Sequence, residues 1–427
     1  MNFNIIWIAT MLYFMTEMNC DEVNIKVNPP EVVPQSLFHD WENVHGYIRV
    51  RPEAYIFYWL FYADGTRVNA TDKPLIIWIQ GGPGFAASGI GNFAEIGPFN
   101  MNMQPRNHTW VKERNVLFID HPVGTGFSYV TNSSQYVTTD QQLAIDLSRV
   151  IKVFYRRHKV FRSTPTYLVG QSYGGKACPR VAYYLNTAIE KKSLKMNLKG
   201  IGIGGGWVNP KESSAMQAPY LYFMGAIDRN LYIASSKLAK KLERSLAHQN
   251  MGAAAALDSF LFSTLNEARV INFNNVYAES PYTALNELSV KINNYIKPML
   301  SGVNQTRSWE YLSYIAYESL KENFLLPSTS FLEALLNNTN LKVAVYNGNL
   351  DAVTPLAGAV NWVHKLRWHG ANDFAVAQRH TIPGNGNGFY KTAKTLSFWW
   401  VFGAGHWVPE ENPEAMEHVL QYLLKDN

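Results

Sequence analysis

Six short, dense apolar runs constrain this chain more than any other feature: LIIWI (Leu75–Ile79), NVLFID (Asn115–Asp120), TYLVG (Thr166–Gly170), KGIGIGG (Lys199–Gly205), KVAVYNG (Lys342–Gly348) and LSFWWVFGAG (Leu396–Gly405). They lack the polar alternation of a half-exposed strand, so each reads as a strand covered on both faces, as in a parallel sheet. Parallel neighbours need crossover segments, and helical periodicity lies between several of the runs. The clearest case is TTDQQLAIDLSRVIKVFYRRH, where Leu143, Leu147, Val150, Ile151 and Phe154 share one face and basic residues gather at the C-terminal end. Ahead of the first run, HGYIRVR and YIFYWLFYA flank Pro52 and predict an opening antiparallel pair. The fold class is therefore α/β: a mostly parallel central sheet flanked by helices.

One interval breaks the rhythm. From about 211 to 340 the text is helical, with AKKLERSLAHQ, AAAALDSFL and FLEALL and few strand signals. It reads as a helical cap inserted between two sheet strands of a single domain spanning 21–427. A separate second domain is the alternative, but no Pro- or Ser-rich linker marks either edge.

The chain has 427 residues, nearly half of them hydrophobic, which is enough for a large core. Its formal charge of +5 is dispersed, which argues against a phosphate-tracking surface and hence against nucleic acid as a partner. Residues 1–20 read as a secretory signal peptide: the apolar run Ile5–Met15 is too short to cross a bilayer and is followed by acidic, polar sequence. No membrane span is expected in the mature chain. Five Asn-x-Ser/Thr sequons, at Asn69, Asn107, Asn132, Asn304 and Asn337, agree with passage through the secretory pathway to the lysosome or the cell exterior. Cys20 and Cys178 are the only cysteines, so no disulfide framework supports the fold. Cys178 reads as a small buried hydrophobe.

Gly170-Gln171-Ser172-Tyr173-Gly174 follows the strand-like TYLV and opens the helical YGGKACPRVAYYL. That strand–turn–helix setting is what a nucleophile elbow requires: a tight bend holds the serine oxygen above the sheet, and the Tyr173 amide points to where an oxyanion would form. A serine hydroxyl needs a base, itself oriented by an acid. His406 lies in GAGHWVP after one strand, and Asp351 in YNGNLDAVTP after another, so both belong to the same sheet edge as Ser172. His364, His369, His380 and His418 fall on helices or polar loops and read as surface or packing residues, and Asp373 follows no strand. A second glycine-rich element, Gln80-Gly81-Gly82-Pro83-Gly84, follows LIIWI. A nucleotide site fails on context, because neither the Lys-Ser/Thr of a P-loop nor a dinucleotide fingerprint accompanies it. Gly82 is instead the candidate for a second oxyanion amide.

Taken together, HGYI (45–48), WIQGGPG (78–84), GNFAEIGPF (91–99), DHPVGTGFSY (120–129), GQSYGG (170–175), NGNLDAVTP (347–355) and GAGHWVP (403–409) resemble, in order and over nearly the whole length, the serine carboxypeptidases of the α/β-hydrolase superfamily. The likeness is greatest to the retinoid-inducible branch. The resemblance implies a carboxypeptidase with Ser172 as nucleophile, His406 as base then acid, Asp351 as the orienting acid, and the Gly82 and Tyr173 amides as oxyanion hole. It also implies a pocket for the substrate's terminal carboxylate built from Gln80, Gly81, Glu95 and Gln171. Here the chain departs from the family pattern, which has glutamate before the serine. A glutamate pair receives an anion only while protons are shared between the carboxyls, whereas Gln171 keeps an N–H donor at any pH. Two other readings are a secreted binding protein that kept the fold without turnover, and an acyltransferase or esterase using the same three residues. No metal or organic cofactor is expected: H-E-x-x-H, paired cysteines and a dinucleotide fingerprint are all missing.

Overall fold

The computed structural model of the chain describes residues 37–266 and 272–425; the expected signal segment 1–20 and Cys20 lie outside them. Eleven strands form one sheet: β1 (Asn43–Arg51), β2 (Ala54–Phe61), β3 (Leu75–Ile79), β4 (Asn115–Ile119), β5 (Tyr129–Val130), β6 (Pro165–Gln171), β7 (Asn197–Gly204), β8 (Lys342–Gly348), β9 (Arg379–Thr381), β10 (Gly388–Ala393) and β11 (Leu396–Val401). Their order is β1-β2-β4-β3-β6-β7-β8-β11-β10-β9, with β5 pairing β2. The run from β4 to β11 is parallel throughout, and the six apolar sequence runs supply its strands. The antiparallel pair β1–β2 extends one end of the sheet. At the other end, β10 and β9 add antiparallel edges that the sequence reading did not anticipate. Those strands are short and carry Lys391, Arg379 and His380, so they lack the apolar density that marks the centre.

Both faces of the sheet are buried, and successive residues serve opposite cores because side chains alternate along a strand. Ile77, Ile79, Leu168, Ile201, Ile203, Val343 and Val345 pack on one side with helices Asp140–Arg157 and Tyr173–Glu190. Trp78, Phe118, Val169, Ala344, Tyr346 and Trp399 pack on the other side with the segment Ala87–Ile96 and helix Pro413–Leu424. Cys178 is fully buried, and burial pushes its thiol pKa far up, in keeping with a packing role. Between β7 and β8 the chain runs through helices from Pro210–Phe223 to Thr329–Asn338, and among the described residues none of it adds a strand to the sheet. Ala218, Leu221, Leu261, Leu265 and Phe273 give part of this region its own small core, which also takes in Ala352.

The chain order reverses at β3: β4 lies on one side of it and β6 on the other. At such a reversal the loops leaving the two strands diverge and open a crevice at their C-terminal ends. The helix after β6 must pass close to β3, and Gly174 makes this possible: a Cβ there would stand 1.9 Å from the Ile79 carbonyl oxygen and 2.7 Å from that of Gln80. Replacing a helical glycine with alanine ordinarily stabilises by up to about 1 kcal/mol. Here the sign reverses. Gly174→Ala is expected to destabilise the chain by about 3 kcal/mol or more, read as a lowered Tm and denaturation midpoint.

Candidate active site

The bend after β6 is strained by design. Ser172 has φ 59° and ψ −124°, a region that non-glycine residues adopt only when their surroundings impose it, at a cost of about 1–3 kcal/mol. The backbone around it supplies the restraint. Ser172 N donates to Gly204 O at 2.9 Å, and its carbonyl accepts from Gly175 N at 2.9 Å and Trp207 N at 3.0 Å. Tyr173 begins the helix, so its N–H has no intrahelical acceptor. The Gln80–Gly84 loop runs hard against the bend: a Cβ on Gly81 would lie 2.6 Å from Ser172 Cβ and 3.1 Å from its Oγ.

Asp351 and His406 come from the loops after β8 and β11 and meet as the strand-end placement implied. His406 Nδ1 lies 2.8 Å from Asp351 Oδ2. Asp351 is fully buried and also accepts from Thr354 N at 2.9 Å and Thr354 Oγ1 at 2.6 Å. Three acceptor contacts hold the carboxylate in one orientation, and the carboxylate in turn fixes the imidazole. Neither Thr354 nor the next layer of support was singled out from sequence. The segment Phe273–Val276, from the region between β7 and β8, grips both loops: Asn274 O accepts from His406 N at 2.6 Å, Phe273 O from Ala352 N at 2.9 Å, and Leu350 O from Val276 N at 3.1 Å. These are long-range backbone contacts, which leave no periodic trace in sequence. On the far side, Glu411 accepts from Asn275 Nδ2 at 2.8 Å and from Gly405 N.

Gln80, Gln171 and Glu95 form one buried cluster. In the register of β3 and β6, Ile79 pairs with Gly170, so the next residues, Gln80 and Gln171, leave the two strands side by side and on the same face. Glu95 reaches them from the segment Ala87–Ile96 packed on that face. Gln80 Nε2 donates to Glu95 Oε1 and to Gln171 Oε1, both at 3.0 Å, while Trp78 Nε1 donates to Gln80 Oε1. Gln171 Nε2 donates to the carbonyl of His406 at 2.8 Å. The neutral amide before Ser172 thus ties strand β6 to the loop that carries His406. Burial raises the Glu95 carboxyl to about 8, against the opposing pull of its Gln80 hydrogen bond and of Arg106. Its Oε2 has no partner among the described residues.

Ser172, Tyr173, Gly82, Gln80, Gln171 and His406 border a single cavity of about 590 Å³, whose wall mixes aromatic with polar side chains. Glu95 stands behind Gln80, and Gly81 behind Ser172, so neither borders the cavity. Among the described residues, no lysine or arginine lines it, and His364, His369, His380, His418 and Asp373 are all absent from its wall. Beneath the bend, buried Lys176 pairs with Asp140 at 2.9 Å and donates to Phe324 O at 3.1 Å, while Tyr173 Oη donates to Asp140. Burial lowers Lys176 to about 8, against the pull of Asp140. Among the described residues, no His, Cys, Asp and Glu grouping could hold a metal ion, and no helix is long and apolar enough to cross a membrane. All five sequon asparagines are exposed.

A doubly covered, mostly parallel sheet with a strained serine bend and a carboxylate-bound histidine at its C-terminal edge defines the class: this is an α/β-hydrolase fold. Residues 30–426 match the family described as serine carboxypeptidase. The human retinoid-inducible serine carboxypeptidase is 31% identical over 90% of this chain and 93% of its own length. Serine carboxypeptidase-like 51 of Arabidopsis thaliana is 30% identical over 88% and 90%. Among solved structures, Kex1(delta)p, a prohormone-processing carboxypeptidase from Saccharomyces cerevisiae, superposes with a TM-score of 0.80 at 20% identity, covering 93% of this chain and 94% of that one. The chain belongs to the serine carboxypeptidase family and is a peptidase of the hydrolase class.

The Glu95 shift has a thermodynamic consequence. Between about 4.5 and about 8 the unfolded chain has lost the Glu95 proton while the folded chain keeps it, so this residue's contribution to stability falls as pH rises through that window. Glu95→Gln keeps an acceptor for Gln80 and removes the titration. Denaturant midpoints measured from pH 5 to pH 8 should decline less steeply in the variant than in the wild type; parallel curves would show that Glu95 ionises normally.

Proposed function

We propose that the chain removes the C-terminal residue from peptides and proteins through an acyl-enzyme on Ser172. The observation that carries this reading is the 2.8 Å contact of His406 Nδ1 with Asp351 in the cavity that also exposes Ser172, the uncommitted Tyr173 amide and the Gln80–Gln171 amides. With Nδ1 engaged by Asp351, Nε2 is the nitrogen left to take the Ser172 proton as the oxygen attacks the scissile carbonyl. The developing oxyanion falls to the Gly82 and Tyr173 amides; one such donor is typically worth about 10²–10³ in kcat. His406 then protonates the departing amine, activates a water against the acyl-enzyme, and returns the proton to Ser172.

The terminal carboxylate falls to the amide cluster. Both N–H groups of Gln80 are spent on Glu95 and Gln171, and one N–H of Gln171 on the His406 carbonyl, which leaves the second Gln171 N–H for the substrate. Glu95, kept protonated by burial, spares the incoming anion a charge repulsion. Residues 211–340 are read as a cap on this single domain. The five exposed sequons support a glycoprotein of the secretory pathway, extracellular or lysosomal.

Two measurements test the reading. A fluorophosphonate should label Ser172, and Ser172→Ala should lose both the label and the release of a C-terminal residue from blocked dipeptides; release by the unlabelled variant would reject Ser172 as nucleophile. For Gln171, an ionised glutamate can neither donate to the His406 carbonyl nor bind an anion. Gln171→Glu is therefore expected to lose kcat/KM between pH 5 and 7 more steeply than the wild type, and superimposable profiles would remove Gln171 from carboxylate recognition.

A further inference from the structure

Asp258 stands in the wall of the cavity that holds Ser172 and His406. It belongs to helix Met251–Asn266, and its Oδ1 accepts from Ser214 Oγ of helix Pro210–Phe223 at 3.0 Å. Among the described residues, Ser214 is the one side chain that donates to this half-buried carboxylate, and desolvation raises its pKa to about 6 against that hydrogen bond. Among the described residues, no lysine or arginine borders the cavity to neutralise it. A half-buried carboxylate with one hydrogen bond presents its remaining acceptor capacity to whatever enters the cavity.

Its surroundings suit a particular visitor. Phe262 lies one helical turn further along the same helix and also borders the cavity, as does Tyr317, close enough to Asp258 to feel its charge. Aromatic faces beside a carboxylate accept the aliphatic stem of a long cationic side chain and favour a guanidinium or ammonium over them. The terminal-carboxylate amides occupy a different wall, built from β3 and β6. A peptide anchored there by its carboxylate still has side chains to place against the walls supplied by 210–223 and 251–266.

We propose that Asp258 is a specificity determinant, receiving the cationic side chain of a lysine or arginine at one of the two residues flanking the scissile bond. The proposal rests on the carboxypeptidase reading above and deepens it by naming a substrate class. The test uses the purified full chain at pH 7, where Asp258 is ionised, with two series of blocked dipeptides. In one the acyl-side residue is lysine, norleucine or glutamate; in the other the leaving residue is varied in the same way. Norleucine has the length of lysine without its charge, so packing cancels in the lysine-to-norleucine ratio of kcat/KM. The wild type should show a ratio of about tenfold or more in one series. Asp258→Asn, which keeps an acceptor for Ser214, should bring that ratio towards unity, and Asp258→Lys should shift preference towards glutamate. Fluorophosphonate labelling of each variant reports that the site is assembled. A wild-type ratio near one in both series, or a ratio unchanged in Asp258→Asn, overturns the assignment while leaving carboxypeptidase activity on norleucine substrates intact. A labelled wild type that releases no C-terminal residue from any member of either series sinks both readings.

Discussion

Parallel pairing of β3 with β6 is the constraint on which the rest depends. Matching Ile79 to Gly170 brings two loops to one point of the sheet edge and leaves no room there for side chains on the backbone that crosses between them. The same register sends Gln80 and Gln171 to one face and the serine bend to the crevice. A slip of one residue would turn both amides towards the opposite core and move Ser172 out of line with the His406 loop. The strain at Ser172 is tolerable because three backbone hydrogen bonds and two packed cores over-determine the bend.

Around that point the protein buries polar groups unevenly. Asp351 is well served, with two contacts from Thr354 and one from His406, whereas Glu95 keeps an oxygen without a partner among the described residues. The difference separates a carboxylate fixed by several donors from a carboxyl that burial keeps neutral. Lys176 is the counterpart on the other side of the bend: a buried ammonium whose ion pair with Asp140 and contact with the Phe324 carbonyl fasten the region between β7 and β8 to helix Tyr173–Glu190. Together these groups surround Ser172 with polar side chains that packing holds in place.

Much of this was legible in sequence, for definite reasons. Dense apolar runs can only be doubly buried strands, and loops after parallel strands must emerge on one edge; that alone brought Ser172, Asp351 and His406 together. The meeting of Gln80 with Gln171 was implied only by the family resemblance, because strand order and register are not written in the sequence. Other features left no such mark. The edge strands β9 and β10 are polar, so nothing distinguishes them from loop text. The grip of Phe273–Val276 on the two loops is made by backbone atoms far apart in the chain, which no side-chain pattern announces. Asp258 sits in an unremarkable helix, and only packing reveals that it faces the cavity. The hydrogen bond from Gln171 to the His406 carbonyl was likewise hidden, because it depends on a loop 235 residues away.

The same grip gives the molecule a limited kind of modularity. The segment that carries Asn274 belongs to the region that shapes the cavity wall, yet its carbonyl also holds the backbone amide of His406. The cavity wall and the support of the His406 loop therefore share a mechanical part. A lineage that exchanges these helices to reach new peptides must preserve one short stretch of backbone, whatever its side chains become, so divergence here should proceed by point changes facing the cavity rather than by transplanting the region whole.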